Sequence, residues 1–229
     1  KESKVEVLKW RDPGKKAGEL MSPSRFGEHE AGVEKRKRRI WLAQHQQAPT
    51  SDEAKIFLRH NWRYYTEDPH EIAKRQGAIV VQSWDMAFKD LSTSSLVAGH
   101  VWAMVGPNKY LLDRVGDHLD FNNTIKAVLA MTERWPEARA KIVEGKANGA
   151  AVINFLKQKM SGLIEWPPKG QGQMDSKEAR AVVMQPDHEG GNVWLPLAVK
   201  YPWVEEVLEF FADFPEGEYD DDIDAASQA

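Results

Sequence analysis

The chain contains no cysteine. That excludes disulfides, thiolate metal sites and cysteine nucleophiles, and it fits a reducing cytoplasm. No apolar run approaches the roughly 18–20 residues that a membrane-spanning helix needs, so no membrane association is expected. The opening stretch, Lys1 to Leu20, is charged and lacks the apolar h-region of a secretory signal, so secretion is not expected either. A large excess of one charge is missing too. The formal net charge is −4, which by itself announces no polyanionic partner. The distribution is more informative, because Lys35–Arg39 (KRKRR) is densely basic and Glu216–Asp224 is acidic.

What is present suits a soluble globular domain. With 229 residues, 41% of them hydrophobic, and nine Trp, the chain can bury a core as one large domain or as one domain with a small appendage. Its organising stretch is Ala78–Ala87 (AIVVQSWDMA), a short apolar run following Gly77 and followed by Lys89-Asp90 and a Ser/Thr cluster. This pattern predicts a strand buried on both faces. Asp85 sits at its end, where an ionised carboxylate is costly unless something positive meets it. It either caps the strand towards water or helps to hold a metal ion.

Around that strand the sequence alternates between strand and helix signals. Ser95–Val105 and Tyr110–Val115 flank the turn Gly106–Lys109, and their short connections make them antiparallel neighbours of the first strand. Asp120 is placed to cap a helix running to Trp135, and Ala140–Glu144 is a short strand. Helices are expected over Ala150–Met160, Ser176–Met184 and Val204–Phe211, with a loop at Pro167–Asp175, a strand at Val193–Pro196 and a last helix from Asp220. Ahead of this region, Val5–Trp10 alternates like an edge strand, and Glu28–Gln47 reads as a helix carrying the basic run. Phe57–Tyr65 (FLRHNWRYY) mixes aromatics with Arg, a composition suited to base stacking but more often used for core packing. Together these elements predict an α/β fold, a mixed sheet flanked by helices.

Three acidic positions converge in this scheme. Asp85 ends one strand, Glu144 ends another just before a Gly-containing turn, and Asp220, Asp221 and Asp224 head the last helix. Any one has an ordinary use: Glu144 as a surface acid, the Asp run as a complement to the helix dipole. Gathered at one sheet edge, they make an all-oxygen cage suited to Mg²⁺ or Mn²⁺ rather than to zinc.

The ordered series QSWDMAFKD, YLLD, IVEGKANGAAV and the C-terminal Pro215, Gly217, Asp220, Asp221, Asp224 and Ala225 resembles the nuclease domain of the large terminase subunit of tailed bacteriophages. Pro23–Gly27 and Ala43–Pro49 resemble the segment that joins that family's packaging ATPase to its nuclease. The resemblance implies an RNase H-like fold of RuvC type. It also implies an N-terminal linker segment over residues 1–70 and a nuclease domain over 71–229. No G-x-x-x-x-G-K-[ST] loop occurs, so the chain is expected to be the nuclease portion of a longer protein. By the same resemblance, Asp85, Glu144, Asp220 and Asp221 are the catalytic and metal-binding residues, with the register of the third acid blurred by Asp222. Two Mg²⁺ or Mn²⁺ ions are implied, with double-stranded DNA as substrate and the portal and small terminase subunit as partners of the full-length protein. Localisation would be the cytoplasm of the infected bacterial host.

Arg36, Arg38 and Arg39 are candidate contacts to the DNA backbone, although most such runs are solvated helix faces. The expected activity is an endonuclease that cuts concatemeric viral DNA by two-metal phosphodiester hydrolysis with little sequence preference. Two other readings compete with it: a resolvase- or transposase-like nuclease on the same fold, and a non-catalytic module docking DNA or the portal.

Overall fold

The computed structural model describes residues 56–86, 95–144, 149–166, 177–215, 217 and 221–229. In chain order these form β1 (Arg63–Tyr65), α1 (Pro69–Ala73), β2 (Ile79–Met86), β3 (Ser95–Val105), β4 (Asn108–Leu119), α2 (Phe121–Arg134) and β5 (Ala140–Glu144). Then follow α3 (Gly149–Leu156), β6 (Leu163–Trp166), α4 (Lys177–Glu189), β7 (Val193–Pro196), α5 (Trp203–Asp213) and α6 (Asp221–Ser227). The strand at Val5–Trp10, the helix at Glu28–Gln47 and the loop at Pro167–Asp175 lie outside the described residues.

All seven strands join one sheet in the order β1-β7-β4-β3-β2-β5-β6. β2, β3 and β4 are an antiparallel meander, as their tight connections require, while β5 lies parallel to β2 and β6 parallel to β5. On the other side β7 runs parallel to β4, and β1 parallel to β7. Seven of the eight residues of β2 are buried, as expected for a central strand covered on both faces.

The period-2 alternation of the strands assigns side chains to two cores. Val80, Trp84 and Met86 of β2 join Val101, Leu112 and Val143 under α2 and α3. On the opposite face, Val81 joins Trp102, Leu111 and Leu195 against α5 and α6. Asp85 is in step with Val81, and Glu144 is out of step with Val143. Both therefore belong to the face that α6 covers.

Three elements escape a reading by pattern. β6 is only four residues long, half-exposed and interrupted by Glu165. α1 is a single capped turn, held by the Asp68 side chain accepting from the His70 amide. β1 is too short for alternation to register. The aromatic stretch takes the packing alternative: Phe57 and Trp62 are buried and enclose His188 at 5.4 and 4.6 Å between ring centroids. Burial pushes that imidazole down to about 4, so it is a neutral core residue at physiological pH. The helix over Ser176–Met184 instead spans Lys177–Glu189, continuing through Pro186, where a breaker is expected. Gly191, at a φ of 70°, then closes it, with the Gly190 amide donating to the Pro186 carbonyl. The helix expected to reach Met160 ends at Leu156, and the strand expected over 110–115 extends to Asn108 and Leu119.

The meander is pinned where the fully buried Trp84 pairs with Gly99 of β3. A β-carbon at Gly99 would stand 2.3–2.6 Å from three atoms of the indole. Gly99→Ala should therefore force a shift costing about 1–3 kcal/mol, or about 2–4 °C of Tm per kcal/mol in a domain of this size. A melting temperature equal to that of the parent protein would contradict this packing.

Candidate metal centre

Asp85, Glu144 and Asp224 come from three distant segments and meet on the α6 face of the sheet. Their relative exposures are 5%, 2% and 2%. One carboxylate oxygen from each lies within 4.8 Å of the others. β2 and β5 pair in parallel, so both strands deliver an acid at the same C-terminal edge. α6 packs against β2 and β3 and supplies the third acid from above.

The electrostatics of Asp85 follow from this crowding. Burial, then the charges of Glu144, Asp221 and Asp224, push its carboxyl well above the ordinary value, and a hydrogen bond with Glu144 adds to the effect. Asp85 is therefore protonated more readily than an exposed carboxylate, so proton and cation compete for its oxygens.

α6 sorts its acids by helical geometry. Asp221 and Asp224 are three residues apart and share a face. Asp222 points elsewhere: the Arg114 Nε donates to its Oδ1 at 2.7 Å and Nη2 donates to its Oδ2 at 2.8 Å. His100 Nε2 lies 2.8 Å from the same Oδ1. Burial alone would raise the Asp222 carboxyl, but Arg114 and then His100 outweigh it and hold it far below the usual range. Burial would likewise lower the Arg114 pKa, yet Asp222 and Glu206 keep it above its ordinary value. Asp222 is thus committed to a buried ion pair, which removes it from the ambiguity over the third acid.

The sequence-based ligand set is only partly gathered. Asp85 and Glu144 come together. Asp221 lies near enough for its charge to act on Asp85 but is outside the tight triad. Asp220 lies outside the described residues, as do Arg36, Arg38 and Arg39. Asp224 takes the third place; the sequence pattern counts it among the gathered acids, but the family resemblance gives the ligand role to Asp220 and Asp221 instead. The signal that finds it is the spacing within a buried helix: Ile223, Ala225 and Ala226 are buried alongside it, so an acid among them has left water too. Asp113, another strand acid, has a structural use. It accepts from Arg134 Nη1 and Trp135 Nε1, both at 2.7 Å, and from the Arg114 amide at 2.9 Å.

An antiparallel meander continued by two parallel strands, with acids at the edges of the first and fourth strands of that series, is an RNase H-like arrangement. The chain shares this fold with nuclease domains of phage large terminases. It superposes on the large terminase nuclease of thermophilic phage G20c with bound zinc at a TM-score of 0.51 and 16% identity, covering 68% of this chain and 81% of that one. The nuclease domain of the g2p large terminase of bacteriophage SPP1 with bound Mn matches at 0.51 and 14%, over 76% and 97% of the two chains. The large terminase of thermophilic bacteriophage D6E matches at 0.55 and 11%, over 88% of this chain. The present chain spans about half of that protein, 52% of its length. No protein-family model matches the sequence, and no curated protein sequence matches it significantly. Among the described residues, no helix is long and apolar enough to cross a membrane.

The raised pKa of Asp85 fixes the sign of a pH effect. The folded protein holds the Asp85 proton more tightly than the unfolded chain, whose carboxyl titrates near 3.8. Its contribution is thus most favourable on the acid side and is lost as pH rises through the folded pKa. Asp222, whose pKa is depressed, acts oppositely: its contribution is present above 3.8 and lost as pH falls. The Asp85 contribution should accordingly lower the melting temperature of the metal-free protein as pH rises above the ordinary carboxylate value. Asp85→Asn should flatten that fall and melt about 2–4 °C higher at the alkaline end for each kcal/mol of repulsion relieved. Parallel pH profiles for the two proteins, measured in chelator, would contradict the crowding described here.

Proposed function

We propose that this chain is a divalent-metal-dependent DNA endonuclease, the nuclease part of a large terminase that cuts concatemeric viral DNA during genome packaging. The observation that carries the proposal is the triad Asp85, Glu144 and Asp224, three buried carboxylates within 4.8 Å of one another. The fold shared with metal-bound terminase nucleases supports it.

The donor set fits the cofactor. Carboxylate oxygens, with neither imidazole nor thiolate among the three, suit hard cations such as Mg²⁺ or Mn²⁺. Two ions are proposed, with Asp85, Glu144 and Asp224 holding them and Asp221, and Asp220 by its place in the motif, as the further acids. Bound divalent cations supply Lewis-acid activation of water and neutralise charge on the phosphodiester. The protein's part is to concentrate anionic oxygens where a phosphate must approach, and to keep them rigid by mounting two on neighbouring strands. Burial and the neighbouring carboxylates raise the Asp85 pKa, so this acid takes up a proton more readily than an exposed one. Such a centre addresses phosphates and not base edges, which supports little sequence preference; double-stranded DNA as the substrate follows from the terminase reading.

The remaining features of the proposal follow from the terminase reading. The segment expected over residues 1–70 joins an ATPase domain to the nuclease expected over 71–229, with β1 and the Phe57 and Trp62 packing already part of the nuclease sheet and core, and Arg36, Arg38 and Arg39 are the proposed contacts to the DNA backbone. The portal and small subunit are the partners, and the work is done in the cytoplasm of the infected host.

With Mn²⁺ the protein should nick and linearise supercoiled plasmid, and chelator should abolish this. Asp85→Asn and Asp224→Asn should each slow cleavage by about a hundredfold or more. Losing one anionic ligand removes several kcal/mol of charge stabilisation, and each 1.4 kcal/mol is about tenfold in rate. Cleavage by either variant at the parent rate would refute the assignment. A strong preference for four-way junctions over linear duplex would favour a resolvase-like nuclease instead.

A further inference from the structure

The acids of α6 divide between two tasks, and the second task is not ligation. We propose that the Arg114–Asp222 pair, backed by His100 and Glu206, is a positioning device that sets the rotation and depth of α6 and thereby places Asp224 in the metal centre. This rests on the metal-centre reading and adds to it a residue set that touches neither metal nor substrate.

Geometry makes the case. Asp222 and Asp224 are two residues apart, so their side chains leave the helix about 200° apart. Fixing one side therefore fixes the other. A two-pronged guanidinium–carboxylate bond constrains orientation as well as distance, whereas apolar contact is non-directional. α6 has seven residues, and its buried apolar side chains, Ile223, Ala225 and Ala226, include two of the smallest, so packing alone gives it little grip. The clamp is also built in depth. Arg114 Nη1 donates to Glu206 Oε2 of α5 at 3.0 Å, so a single side chain of β4 ties both covering helices to the sheet. Gly116 leaves the space for it, since a β-carbon there would lie 2.3–2.9 Å from Nη2, Cζ and Nε of Arg114. Beyond α6, Ser83 Oγ donates to Gln228 Oε1 at 3.3 Å, a second tie to the strand that carries Asp85.

A need for such a clamp is evident at the other side of the helix. Asp224 and Asp221 face Asp85 and Glu144, and like charges push α6 off the sheet. Asp222 and Arg114 place an attraction of opposite sign beneath the same helix.

A purely stabilising ion pair predicts something different, so the two roles separate by experiment. Replacing a buried pair by apolar residues of similar size commonly preserves stability. The double variant Arg114→Met/Asp222→Leu should therefore keep its melting temperature in chelator, while Mn²⁺ affinity, read by electron paramagnetic resonance well below the transition, falls about tenfold or more, as for lost outer-shell partners. Gly116→Ala, which retains both charges but displaces the guanidinium, should weaken Mn²⁺ in the same direction and serves if the double variant does not fold. Unchanged Mn²⁺ affinity in a folded variant of either kind would overturn the positioning role while leaving the metal centre intact. If the parent protein binds Mn²⁺ no better than Asp85→Asn does, the metal centre itself fails, and the positioning role falls with it.

Discussion

Asp85, Glu144 and Asp224 hold carboxylate oxygens within 4.8 Å of one another and away from water. That concentration of like charge is the constraint the rest of the structure answers. It is unfavourable by desolvation and by repulsion together. Two adjacent interior strands supply two of the acids, each held by hydrogen-bonded neighbours on both sides. The same crowding raises the Asp85 pKa, so protonation of this acid relieves part of the repulsion. The remaining acid arrives on a short helix, and the Arg114–Asp222 pair holds that helix down. Stability given up at the edge of β2 is thus offset a few residues away, on β4 and α6, a division between site and scaffold common in functional centres.

Much of this was legible in the sequence because it depends on local patterns. The continuous apolar run of β2, the Asp120 cap of α2 and the tight turn between β3 and β4 all follow from residue type and spacing, and each has the form expected. Asp85 and Glu144 stand out as acids at the ends of buried strands, where alternation puts them on one face. What escaped was set by tertiary context. β6 is an edge strand whose pairing is decided by β5, and α4 passes through Pro186 and ends only before the Gly190-Gly191 pair. The order of the acids in DDDID cannot by itself say which one turns inward. Arg114 and His100, more than a hundred residues earlier, take Asp222 and leave Asp224 for the centre.

Likeness of fold and chemistry of the site carry different parts of the functional conclusion. At 11–16% identity, superposition with terminase nucleases speaks to the arrangement of strands and helices. Chemistry comes from the residues of this chain, in which a buried cluster of carboxylate oxygens stands at the C-terminal edge of two paired strands. The account would hold for any phosphodiester substrate that reaches this edge; large terminase nucleases are proteins in which the same scaffold occurs.

The most direct test is anomalous diffraction from crystals of this protein soaked in Mn²⁺. The account predicts manganese at the C-terminal edge of β2 and β5, coordinated by Asp85, Glu144 and Asp224, with Asp222 still bound to Arg114. Manganese found only at surface carboxylates, or coordinated by Asp222 with Arg114 released, would contradict it.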